Sequence, residues 1–183
     1  MKLEIIEDTK MTIVKEHVDG RSCGTCAMCC KVYDVPEVNK IGRNWCNNFK
    51  HGKGCEIYAE RPSQCRQFFC NWMIHEGLGP EWKPEHCKFV MTTNPVDLNL
   101  YIRVDPGKKT AWRDEPYYSV LKKWASDLME RNNYIFVSSG QETIIVLNDR
   151  DVDMGIIKQN EMIYFTKSIR NGNIFVQVSK RKN

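Results

Sequence analysis

The rhythm of apolar and polar positions changes several times along the chain. Residues 2–18 alternate in part, through Leu3, Ile5, Met11, Ile13 and Val14, which predicts one or two strands. Residues 19–58 keep no period and hold Gly20, Gly24, Gly42, Gly52 and Gly54, which predicts loop with short helical turns. After Arg61-Pro62-Ser63 the period turns helical, with Cys65, Phe68, Phe69, Trp72 and Met73 on one side and Gly77, Gly79 and Pro80 as the stop. Pro62 suits a first helical turn, where its missing N–H costs nothing. Leu98–Val104 alternates as a strand. Residues 114–132 read as the longest helix, with Asp114 as cap, Pro116 at its start and Tyr117, Val120, Leu121, Trp124 and Leu128 as the buried stripe. Tyr134–Ser138 and Thr143–Leu147 read as paired strands around Gly140. Met162–Ile169 and Asn173–Ser179 flank Asn171-Gly172, a hairpin signal. The expected fold class is α+β. A cysteine-rich, metal-bound module of loops and short helices packs on a small, mainly antiparallel sheet with one longer helix.

Composition narrows the classes. The 183 residues suit a single compact unit, 1–183, with a cysteine-cluster metal-binding module at 19–75 and an α+β part at 96–183. An apolar fraction of 42% supports a real core, and a charged fraction of 27% is ordinary, which argues against disorder. The formal charge of +4 is too small to point to nucleic acid. Charges interrupt every apolar pair near the N-terminus, and no apolar run approaches the ~20 residues of a membrane span. The expected location is cytoplasmic, with no membrane partner.

Cysteine is the unusual component. Nine occur, and eight of them fall within the 48 residues from Cys23 to Cys70. A reducing compartment disfavours disulfides, and an odd number excludes complete internal pairing. Dense cysteine in that setting points to metal ligands or redox chemistry.

The first cluster reads Cys23-Gly-Thr-Cys26-Ala-Met-Cys29-Cys30. A Cys-x-x-Cys pair brings two thiolates close enough to chelate one ion across a tight turn, and Cys29 repeats the spacing. Cys23, Cys26 and Cys29 also resemble the first three ligands of a bacterial four-iron cluster loop. Cys30, next to Cys29, points elsewhere in most backbone conformations, toward a second site or around a bent loop. The second cluster comprises Cys46, Cys55, Cys65 and Cys70. Cys65 and Cys70 are expected on the helix after Pro62, about 140° apart. Each alone reads as a buried hydrophobe. Together with the first cluster they make eight thiols, enough for two four-thiol sites or for one larger cluster with thiols to spare. His51 is a possible substitute ligand but reads better as a solvated loop residue. Cys87, outside the window, reads as an ordinary buried cysteine.

The pattern Cys-x-x-Cys-x-x-Cys-Cys, then Cys46, Cys55, Ile57-Tyr58, Arg61-Pro62, Cys65-Arg66 and Phe68, resembles the YkgJ-type cysteine-cluster family over about residues 23–72. That family is described as a zinc- or iron-chelating domain. The resemblance implies that Cys23, Cys26, Cys29, Cys30, Cys46, Cys55, Cys65 and Cys70 are metal ligands for zinc or iron, the latter as an ion or as an iron–sulfur cluster. A flagellin lysine methylase has a similar cysteine cluster, so an enzyme such as a protein methylase is one alternative. Electron transfer and a zinc-ribbon-like interaction module are others. Arg61 and Arg66 flank Cys65, and the resemblance favours a place beside the thiolates, where a cation offsets their charge. The plainer reading is a surface arginine paired with Glu60. Asn148–Asp153 lacks the glycine and final glutamate of a calcium loop and reads as a solvated turn. Lys180-Arg181-Lys182 reads as a frayed basic end, and the five tryptophans as core. No nucleophile motif or phosphate-cradling loop is present. A dipositive centre in four thiolates carries −2, so two such sites would cancel the formal +4. Metal ions are the expected partners, nucleic acid is disfavoured, and a protein partner is not indicated.

Overall fold

The computed structural model describes residues 17–182. The strands expected within residues 2–18 fall almost wholly outside that range. In chain order the cysteine-rich segment contributes α1 (Cys29–Val32), β1 (Phe49–Lys50), β2 (Gly54–Cys55), α2 (Ser63–Gln67) and α3 (Asn71–Ile74). Then come α4 (Pro84–Cys87), β3 (Phe89–Thr93), β4 (Leu100–Val104), α5 (Tyr117–Glu130), β5 (Ile135–Ser139), β6 (Glu142–Val146), β7 (Asp151–Ile156), β8 (Glu161–Arg170) and β9 (Asn173–Lys182). The fold is α+β. Among the described residues, no helix is long and apolar enough to cross a membrane.

The main sheet has the order β3-β4-β5-β6-β7. It is mixed: three of its four pairings are antiparallel, as a mainly antiparallel sheet requires, and β4 and β5 run parallel, with Ile102 opposite Val137. A parallel pair needs a crossover, and α5 provides it. The helix lays Leu121, Ala125 and Met129 inward, each 1% exposed or less. Leu121 and Ala125 meet Ile102, Ile135, Val137 and Val146 across the interface, joined by Phe89, Trp82 and Trp112. Two features of the helix start differ from expectation. The helix begins at Tyr117, and Asp114 makes no side-chain cap; its backbone carbonyl instead accepts from the Tyr118 N–H.

The hairpin β8–β9 is a separate two-stranded sheet whose turn places Asn171 and Gly172 at φ of 51° and 77°. Positive φ at both central positions is what the tight turn demands, and Asn-Gly meets it. The inner face carries Phe165 and Val176 onto Met129, Tyr134, Ile145 and Leu147, and the Tyr134 and Phe165 rings stack at 3.6 Å. The basic end is not frayed. It completes β9, where Lys180 Nζ donates to the carbonyls of Met154 and Ile156 at 2.9 and 3.0 Å. Nor is 148–153 a simple solvated turn, because β7 starts inside it. Asp151 Oδ1 accepts from Lys122 Nζ at 2.7 Å, and Oδ2 pairs with Arg113 at 3.0 Å and accepts from the Tyr118 hydroxyl at 3.1 Å.

The cysteine-rich segment leans on β3, an edge strand of the main sheet. Phe89 and Met91 face the main core, while Val90 faces the other way and meets Met28, Val32, Cys70 and Met73. Asn71 adds a polar clasp, donating from Nδ2 to Thr93 Oγ1 at 2.9 Å and accepting the Thr93 N–H at 3.0 Å. Lys31 pairs with Asp105 at 2.6 Å.

Candidate metal centre

Short elements with tight turns carry the thiols. The Cys23-to-Cys26 turn closes through a Cys26 N–H to Cys23 C=O bond of 2.8 Å, with Gly24 at φ 51°. α1 begins at Cys29, so Cys29 and Cys30 sit about 100° apart on one helical turn. The Cys46 N–H donates to the Cys30 carbonyl at 3.0 Å, which draws the next loop in. Pairing of Phe49 with Cys55 in the β1–β2 hairpin then brings Cys55 back beside Cys46.

The helix expected to run on from Pro62 is two helices. α2 ends at Gln67, Phe68 is extended, and Cys70 stands extended (φ −75°, ψ 158°) immediately before α3. Cys65 and Cys70 therefore belong to different helices and face different surroundings. Cys65 turns to the cavity lined by the first cluster, while Cys70 is buried among Met28, Val32, Met73 and Val90.

That cavity, of about 90 Å³, is lined by Cys23, Cys26, Cys29, Cys30, Cys46, Cys55 and Cys65. Seven of the eight expected ligands thus meet in one place, and Cys70 lies behind Cys26, which packs on the same apolar cluster. All nine cysteines are free thiols. Among the described residues, no three His, Cys, Asp or Glu side chains stand at the spacing of ligands to one ion. The donors therefore fit a thiophilic metal by chemistry and by shared cavity, while their spacing is wider than a closed coordination sphere. His51 is exposed on the β1–β2 turn. Cys87 is 2% exposed, and its thiol donates to the Phe89 and Trp82 carbonyls at 3.2 and 3.5 Å, as an ordinary core cysteine does.

Electrostatics differ around the ring of thiols. A hydrogen bond between Cys29 and Cys30 raises the first well above the usual thiol range and lowers the second to about 7, with Lys40 and Arg61 adding to the lowering of Cys30. Burial raises Cys26, Cys55 and Cys65, and takes Cys70 to about 11. Backbone N–H groups oppose that burial at three sulfurs: Met28 and Glu85 at Cys26, Ile57 at Cys55, and Met73 and Trp72 at Cys70. N–H groups aimed at a sulfur favour its thiolate form, the form that binds metal.

The two arginines have separate places. Arg61 lines the cavity, stacks on Tyr58 with its guanidinium carbon 3.6 Å from the ring centre, and acts on Cys30, Cys55 and Cys65. Arg66 is exposed on α2, and its charge acts on Glu37, which also accepts from Ser63 at the helix start.

Two residues with no sequence signal complete the site. Lys40 is 6% exposed, and its ammonium donates to the carbonyls of Tyr33 and Lys31, the latter at 3.1 Å. It brings a second cation to Cys30. Arg21, two residues before Cys23, donates to the carbonyls of Trp72, His75, Glu76 and Leu78, and so ties the first loop to the end of α3. Neither residue lies in a motif. Each finds its role through carbonyls that only the folded chain assembles.

Comparison with known proteins found no family model that matches the chain, and no curated protein or solved structure that is similar to it.

Proposed function

We propose that this chain is a metal-binding cysteine-cluster protein in which Cys23, Cys26, Cys29, Cys30, Cys46, Cys55, Cys65 and Cys70 coordinate zinc or iron. The observation that carries the reading is the gathering of seven free thiols, from four separate stretches of a glycine-rich segment, around one cavity. Gathering so many polarisable, half-buried donors in one place offers little as apolar packing, since cysteine is a small hydrophobe. It offers much as a soft ligand set, because thiolates select zinc and iron–sulfur centres. Arg61 and Lys40 balance thiolate charge, the part that charged neighbours of a metal site play. The family resemblance read from the motif points the same way.

Paired variants test the ligand assignment. Cys26→Ser is expected to lower metal bound per chain by half or more, with a drop in thermal midpoint. Cys87→Ala is expected to lose stability alone, about 1–2 kcal/mol as a small core truncation, and to keep its metal. Elemental mass spectrometry on the purified, reduced proteins reads both. Full metal retention by Cys26→Ser would refute the assignment.

A further inference from the structure

The eight thiols have two different sets of neighbours. Cys23, Cys26 and Cys29 come from one loop, and Cys70 lies behind Cys26, in the apolar cluster that Cys26 packs against. The thiols that act most strongly on Cys70 are those of Cys26 and Cys23, and beyond Cys30 those acting on Cys29 are again Cys23 and Cys26. The other four gather on the hairpin side. Cys46 is hydrogen-bonded through its backbone to Cys30, Cys55 reaches it through the β1–β2 register, and α2 supplies Cys65. Cys65 has Cys30, Cys46 and Cys55 as its thiol neighbours, and Cys55 has Cys30 and Cys46. The boundary falls between Cys29 and Cys30, whose thiols are hydrogen-bonded to each other but whose further thiol neighbours differ: Cys23 and Cys26 act on Cys29, while Cys30 is the first thiol acting on Cys55 and on Cys65.

The geometry points to two four-thiol centres: an inner one of Cys23, Cys26, Cys29 and Cys70, and an outer one of Cys30, Cys46, Cys55 and Cys65. This partition rests on the metal-binding reading above. Each set matches the four thiolates that a closed zinc site or a cubane iron–sulfur cluster takes. The break of the helix after Gln67 has a purpose in this scheme: it sends Cys65 to one centre and Cys70 to the other. The two surroundings also differ in how they meet thiolate charge. Around the inner centre, peptide N–H groups of Met28, Glu85, Trp72 and Met73 aim at sulfur, and the charged side chain that acts on Cys26 is the acidic Glu85. Around the outer centre, the cations Lys40 and Arg61 take that part. A dipositive ion in four thiolates is −2, so those two cations neutralise the outer centre, and the inner one keeps its charge against apolar Met28, Met73 and Val90.

The test uses the reduced, metal-stripped full-length chain and cobalt(II) alone, whose thiolate charge-transfer absorption reports binding. The parent is expected to bind two equivalents. Cys70→Ser and Cys23→Ser are each expected to bind one with full intensity, as are Cys65→Ser and Cys55→Ser. The double variant Cys70→Ser with Cys65→Ser is expected to bind none. At one equivalent on the parent chain, alkylation followed by peptide mass spectrometry is expected to protect four cysteines together, all from one set. A parent that binds no cobalt overturns the metal-binding reading itself. A parent that binds one equivalent, or protection that mixes the sets, overturns only the partition. So does loss of both equivalents in any single variant, misfolded or not, since the partition requires the other centre to form.

Discussion

Chelation of the proposed metal under reducing conditions is expected to open residues 23–70 and leave the main sheet folded. The segment has little to hold it otherwise. Its helices are four or five residues long, far below the ~12–15 at which an isolated helix becomes marginal. Its hairpin pairs only two residues per strand. Besides Cys70, its buried apolar side chains are few, Ala27, Met28, Val32 and Val35, of which Met28 and Val32 join Val90 of β3. In zinc-finger peptides a structural zinc supplies roughly 10–16 kcal/mol, which there amounts to the folding energy. The sheet stands on different ground, with Ile102, Leu121, Ile135 and Val137 all fully buried. Amide hydrogen exchange separates the two parts, because local opening is read where it occurs. Protection in 23–70 is expected to fall roughly a hundredfold or more, equal to at least ~2.8 kcal/mol, with β4 and β5 unchanged. Undiminished protection in 23–70 would show that metal does not hold the segment.

Gly54→Ala is expected to cost about 2–4 kcal/mol and to lower metal bound, while Gly52→Ala, two residues away, costs about 1–2 kcal/mol and leaves metal in place. Both glycines have positive φ, 75° for Gly52 and 86° for Gly54, so both variants carry left-handed strain. Only Gly54 also has no room. A Cβ there would stand 2.8 Å from the Gly24 carbonyl oxygen, whereas at Gly52 nothing lies within 4 Å. Gly54 is where the strand carrying Cys55 touches the turn between Cys23 and Cys26. The difference between the two variants therefore isolates the closeness of these loops from strain in general. Urea denaturation and metal content measure it. Equal effects from the two would mean that the contact between loops is immaterial to the site.

Much of this architecture was legible in residue order, for definite reasons. The helix α5 shows because one face alone is buried, and a one-sided helix writes a 3.6-residue period. The β8–β9 hairpin shows because Asn171-Gly172 is a turn with a mechanism. Strand β3 went unread because Phe89, Val90 and Met91 are all buried, so the run has no alternation to display. Strand β7 was masked by aspartates, one of which, Asp151, is drawn inward by Lys122 and Arg113. The break between α2 and α3 has no proline or glycine to announce it, since Phe68, Phe69 and Cys70 sit at plausible helical spacing. The cysteine pattern was visible from spacing, and seven of its eight thiols line one cavity. Which thiols neighbour which was not visible, because it depends on a two-residue hairpin and a broken helix. Lys40 and Arg21 were invisible for a related reason: their partners are backbone carbonyls, which every residue has.

The measurement that bears most directly on the central claim is the metal content of the chain, purified without air and read by elemental mass spectrometry alongside its absorption spectrum. The account predicts zinc at about two per chain, or iron with matching labile sulfide and a broad band near ~400 nm from thiolate-ligated clusters. A folded chain with neither metal above background, and with the seven cavity thiols of Cys23, Cys26, Cys29, Cys30, Cys46, Cys55 and Cys65 all free to react, would contradict it.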